Sequence, residues 1–105
     1  MSDNLPISEQ YRLTAKSWVD ADSAANLLEE TKSAVLAKMM VAYGGAPVSR
    51  AEMQVKASAP WADHIGKMVR ARERASLLKV EVEFLRMKFS EWQSENANRR
   101  AEMRL

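Results

Sequence analysis

The side chains able to do chemistry are few in this chain and stand far apart. His64 is its only histidine. Neither an HExxH pair nor a carboxylate cluster at ligand spacing accompanies it, so the sequence predicts no metal centre. Cysteine is absent, which removes thiol nucleophiles, zinc ribbons and disulfides. A serine nucleophile needs a base, and His64 lies in helical context without a GxSxG elbow. Gly44-Gly45 lacks the GxxxxGK[ST] frame of a phosphate loop and reads as a helix stop. Glu29-Glu30 and the Asp20, Asp22 pair have the residue types for acid–base work, but such pairs ordinarily form a solvated helix face or a cap. The expectation is a protein that is not an enzyme, with no cofactor, no metal and no small-molecule substrate.

One cluster is chemically suggestive. Lys67, Arg70 and Arg74 fall within about 60° on a helical wheel, since each residue turns by about 100°. Arg72 and Lys79 flank them, and Trp61 is close in sequence. Such a face can neutralise phosphates of DNA or RNA or meet an acidic protein. The competing reading is that it pairs with an acidic helix of the same chain. The charge distribution allows this: residues 1–45 carry four basic and six acidic side chains, whereas residues 61–79 carry five basic and two acidic. Net charge is only +2, too small by itself to mark a nucleic-acid protein.

The elements that must hold these residues are helical. The chain has 105 residues, 47% of them hydrophobic, yet 16 are alanine, so large apolar side chains are scarce. That length allows one small domain with a marginal core. No run approaches the ~18 apolar residues of a membrane span. The opening MSDNLPISEQ lacks the pattern of a signal peptide, and the expected location is cytoplasmic, away from membranes. No strand alternation is present. Gly44, Gly45 and Pro47 form the strongest break, with glycine suited to a left-handed helix end. Ser49-Arg50-Ala51-Glu52 fits a capping box, and Ser58-Ala59-Pro60 a further helix start.

The spacing predicts a flexible leader over 1–8 and a first helix from Glu9 to Tyr43, broken near Asp20. A connector with a short helix from Arg50 to Lys56 follows. A long helix then runs from Ala59 to Met103. The fold class is all-α: a helical hairpin with a short connecting helix and one long C-terminal helix, in a single domain.

With Met68 at heptad position a, the a and d positions run Met68, Ala71, Ala75, Leu78, Val82, Leu85, Phe89 and Trp92. This is a seam suited to bundle packing. It would meet a first-helix line of Trp18, Ala21, Ala25 and Leu28, continuing through Val35, Met39 and Ala42. A second stripe of Leu77, Val80, Phe84 and Met87 lies on nearly the opposite face. A helix apolar all round needs more than one neighbour, so a homo-oligomer completing a bundle from two hairpins is expected. If the first helix breaks at Asp20, the end of the long helix bearing Phe89, Trp92 and Met103 has no intrachain partner. The expected protein-contact residues are therefore Leu77, Phe84, Met87, Phe89 and Trp92.

The stretches EETKSAVLAKMM, SRAEMQVKAS and RMKFSEWQSENANRRAEMRL, in this order, resemble a group of short helical proteins encoded by tailed phages and prophages. The resemblance covers roughly Ala15 to Leu105. It implies an accessory protein of a phage's early or recombination region, working in the bacterial cytoplasm. Its target would be DNA, or a host or phage DNA-processing or defence enzyme. No catalytic residue comes with the resemblance. The leading expectation is an interaction protein, and the alternative is a nucleic-acid-binding recombination or replication accessory using Lys67, Arg70, Arg72, Arg74 and Lys79.

Overall fold

A computed structural model of the chain describes residues 4–104. Helix α1 spans Ile7–Glu30 and α2 Lys32–Met40, followed by a 3₁₀ turn at Val41–Tyr43. The short α3 spans Val48–Lys56, and α4 runs over Ala59–Arg104. No strand occurs among the described residues. The all-α hairpin with a long last helix is as expected. The molecule is a rod of 84 × 24 × 16 Å, because the 46 residues of α4 extend over about 70 Å.

The first break falls elsewhere than expected. Helix α1 passes through Asp20-Ala21-Asp22 without interruption, since Ala21 is a buried member of the seam, Asp20 is exposed and Asp22 is engaged by Arg72 of α4. The bend is at Thr31, where the backbone adopts φ −91°, ψ 2°. There the Thr31 hydroxyl donates to the Leu27 carbonyl at 2.7 Å, a local bond that competes with regular helix and bends it. Thr31 keeps both of its backbone bonds, to Leu27 and from Val35, at 3.0 Å. The chain therefore turns without fully stopping.

At the other boundaries the start signals fared unequally. Helix α1 already begins at Ile7, with the Pro6 carbonyl accepting the N–H groups of Glu9 and Gln10 at 3.0 Å. Residues 1–3 of the expected leader lie outside the described residues. Gly44 is right-handed (φ −55°, ψ −14°), and no described glycine has positive φ. The stop comes instead from the 3₁₀ turn and Pro47. Pro47 also opens α3 with no side-chain cap, leaving Ser49 inside the helix, so the capping box does not form. The start at Ser58 is as the sequence indicates. Its hydroxyl accepts the Trp61 N–H at 3.4 Å and donates to the Val55 carbonyl at 2.6 Å.

Packing follows the heptads. Helices α1 and α4 run antiparallel, and α1 turns Ile7, Tyr11, Thr14, Trp18, Ala21, Ala25 and Leu28 inward, all buried or half-buried at 4–3 spacing. On α4 the seam residues Ala75, Val82 and Leu85 are buried, and Met68, Ala71, Leu78 and Phe89 half-buried. Ala21, Ala25 and Ala75 form one cluster with Ala71 and Leu78, the close approach that small residues permit. Beyond Thr31, α2 leaves this pair and packs on α3, which buries Ala51 and Val55.

The core is thin. Half of the eight buried hydrophobic residues among those described are alanines. The radius of gyration is 22.9 Å, against about 13 Å for a compact chain of this length. The accessible surface is 8146 Å², whereas a globular monomer of this mass exposes about 6,000 Å².

Candidate protein-contact face

The outward side of α4 is the most conspicuous surface. Leu77, Val80, Phe84 and Met87 are 71%, 63%, 50% and 56% exposed, although they repeat at the same 3–4 spacing as the buried seam. Alpha-helical geometry sets them about 165° away from that seam, so the single partner α1 cannot reach them. Val69 continues the line toward the N-terminal end of α4 and is half-exposed. The sequence signal for it was the step back from Leu77 through Glu73, which the apolar pattern alone passes over. The Lys88 ammonium lies over the Phe84 ring at 5.3 Å, a cation–π contact that covers one edge of the stripe. Beside it, an open groove of about 590 Å³ is lined by Met68, Val69, Ser76 and Leu77, with Glu29 and Arg72 at its wall.

The five expected contact residues therefore divide. Leu77, Phe84 and Met87 share the outward stripe. Phe89 belongs to the inward seam, half-buried and stacked on Trp92 with ring centroids 5.8 Å apart. The expected overhang from Phe89 onward depended on a break at Asp20. With α1 unbroken, its first turns come alongside: Ser8 and Tyr11 share a cleft with Phe89 and Ser90, and Ile7 shares one with Trp92 and Glu95. Only the last turns of α4 project beyond α1, and Met103 there is 84% exposed.

The basic cluster also divides. Arg72 reaches across to α1, donating from Nη1 to Asp22 at 2.7 Å, from Nη2 to Asn26 at 2.6 Å and from Nε to Glu29 at 2.8 Å. A second Nη2 bond meets Glu29 at 3.0 Å. Asp22, Asn26 and Glu29 are spaced to line one face of α1, and that spacing was the signal that Arg72 has an intrachain role. The Arg72 hydrogen bond holds the Glu29 carboxyl below its ordinary range, against the smaller opposing effect of desolvation. Arg72 is correspondingly held more firmly protonated, first by its bond to Glu29 and then by that to Asp22.

Lys67, Arg70, Arg74 and Lys79 are exposed and form no ion pair with another described residue. The Arg70 guanidinium folds back over Gly66, within 3.0 Å of where a Cβ would stand. Trp61 is buried and packs beside His64 at 5.9 Å between ring centroids, so it offers no platform to a base. His64 is half-buried, as its seam-end position suggests, and its Nε2 is buried without a hydrogen-bond partner.

No helix among the described residues is long and apolar enough to cross a membrane. Compared with known protein families, curated proteins and solved structures, the chain has no match.

Proposed function

We propose that this chain is a non-catalytic accessory protein that works by protein–protein contact through the outward face of α4. The observation that carries this reading is the exposed stripe Leu77, Val80, Phe84 and Met87 on a molecule with some 2,000 Å² more surface than its mass requires. An excess of that size is more than the roughly 800 Å² that each partner contributes to a standard protein interface. Methionine and aromatic side chains are the types that adapt to and anchor a partner. The resemblance read from the sequence to short phage and prophage proteins would make that partner a DNA-processing or host-defence enzyme.

The test is affinity capture from a bacterial host lysate, with and without nuclease, comparing the wild type with a Phe84→Ser/Met87→Ser variant. A stoichiometric protein that survives nuclease and is lost with the variant supports the reading. Equal capture by both forms overturns it.

A second reading, nucleic-acid contact, is favoured by one observation: Lys67, Arg70 and Arg74 are exposed and unpaired with any described residue. Its mark is an affinity that falls steeply with salt. It is tested by reversing those three charges, which should abolish retention on DNA and RNA while leaving helicity intact.

A further inference from the structure

The outward stripe has a charge pattern that selects its occupant. Set Leu77 and Phe84 at a, and Val80 and Met87 at d, of a second heptad frame. The column at e, one residue after each d, then reads Lys67, Arg74, Glu81, Lys88, Glu95, Glu102. All six are exposed, and none forms an ion pair with a described residue. Flanking charges of this kind set partner choice and orientation in coiled coils.

Read backwards, the same column is its own complement. In an antiparallel pair the e columns of the two helices face each other. With the two-fold axis between residues 85 and 86, Lys67 stands opposite Glu102 of the second copy, Arg74 opposite its Glu95, and Glu81 opposite its Lys88. Symmetry doubles each, so every e position is matched. At the axis Phe84 packs against Met87 of the other copy, with Val80 and Leu77 lying over Glu91 methylenes and Ser94. The g column supplies Ser76, Glu83, Ser90 and Ala97, which bring no like charges together.

Neighbouring alignments lack this match. Moving the axis to residue 82 overlaps the stripe fully, Leu77 on Met87 and Val80 on Phe84, but sets Arg74 against Lys88, Glu73 against Glu91, and Glu81 and Glu83 each against its own copy. An in-register parallel pair brings the e column against mostly uncharged g positions, leaving Glu83 with Lys88 as its only complementary type. The charge split of the whole molecule agrees, since the end formed by residues 24–74 carries eight basic and five acidic side chains and the remainder eight and nine. Antiparallel copies set the basic end of one beside the acidic end of the other.

We infer that the occupant of the outward stripe is a second copy of this chain, antiparallel, in the register fixed by Lys67–Glu102, Arg74–Glu95 and Glu81–Lys88. The inference rests on the contact reading above and names its partner. Exposed ion pairs contribute little each. The two Phe84–Met87 layers therefore supply the affinity, and avoidance of like charges, at the cost of full apolar overlap, sets direction and register.

The experiment uses two full-length variants, Lys67→Glu/Arg74→Glu and Glu95→Lys/Glu102→Lys, studied by analytical ultracentrifugation alone and mixed. The wild type is expected to be a dimer. Each variant alone is expected to dimerise roughly tenfold or more weakly, since four attractive pairs become repulsive. Their equimolar mixture should regain wild-type affinity, because every pair is then opposite in sign. Circular dichroism checks that both variants keep the helical hairpin. A spin label at Arg99→Cys, in a chain otherwise free of cysteine, should report about 40 Å between copies. A separation of about 50 Å would indicate the axis at residue 82, and one near 15 Å a parallel pair. Either distance, a mixture that stays weak, or a monomeric wild type overturns the inference. If Phe84→Ser/Met87→Ser abolishes capture of another protein while the wild type is monomeric, the contact reading stands and only the choice of occupant is lost.

Discussion

Helix α4 bears two apolar faces of almost equal sequence quality, and they meet opposite fates. The inward face buries Ala75, Val82 and Leu85 against α1, while the outward face leaves Leu77, Val80, Phe84 and Met87 in solvent. What separates them is the second helix. On α1 a 4–3 line from Ile7 to Leu28 is available to cover one seam, and no other element among the described residues extends along the rest of α4. Apolar periodicity thus marks a surface that excludes water with some partner, and it is silent on whether that partner belongs to the same chain.

This contrast is open to direct attack. The largest effect is expected from Leu85→Ala, which removes a 6% exposed seam residue and should cost about 2–5 kcal/mol in chemical denaturation. Leu77→Ser on the outward face should stay within about 0.5 kcal/mol for the hairpin itself, measured at concentrations where it is monomeric. Equal losses at the two sites would erase the distinction. Ala25→Leu comes next: Ala25 has no exposed surface, and overpacking the alanine seam should cost about 1–3 kcal/mol.

The smallest effect concerns Glu29. Its folded carboxyl titrates below the ordinary value of 4.5 because Arg72 hydrogen-bonds it. A depressed carboxyl contributes stability that is present above its unfolded pKa and lost as pH falls through the folded one. Melting temperatures of the wild type and Glu29→Gln should therefore differ at pH 7 and converge on acidification toward pH 3. A gap that stays constant would assign the Arg72 contact no electrostatic share in the inward face.

Much of this architecture was legible in the residues. The seam from Met68 to Phe89 and its alanine contacts could be read because both follow from spacing, which is local information. The Ser58 start was legible for the same reason, since its cap is made within one turn. The bend at Thr31 was not, because Asp20-Ala21-Asp22 is the stronger break by propensity, and burial of Ala21 against α4 overrides it. The left-handed glycine failed similarly: Gly44-Gly45 permits that conformation without requiring it, and the 3₁₀ turn at Val41–Tyr43 had already ended the helix. The same error in the break carried Phe89 into an overhang, whereas α1 half-covers it and leaves Trp92 beside it about half exposed. Among the basic residues, the sequence could group Lys67, Arg70, Arg72 and Arg74 by angle. Separating Arg72 from them needed the register of α1, which brings Asp22, Asn26 and Glu29 opposite it.

That triple engagement of Arg72 has a mechanical consequence. Alanines at 21, 25, 71 and 75 present almost no relief, so along this stretch the position of α1 on α4 is held by what flanks them: Trp18 and Leu28 on α1, Leu78, Val82 and Leu85 on α4, and the Arg72 clasp. Asp22, Asn26 and Glu29 act as the teeth of a short rack, with the Arg72 guanidinium as the pawl resting in it. The pawl adds direction to a seam whose larger side chains already hold the two rods closed. A hairpin without it would still rest in the same place, with less to resist a slip.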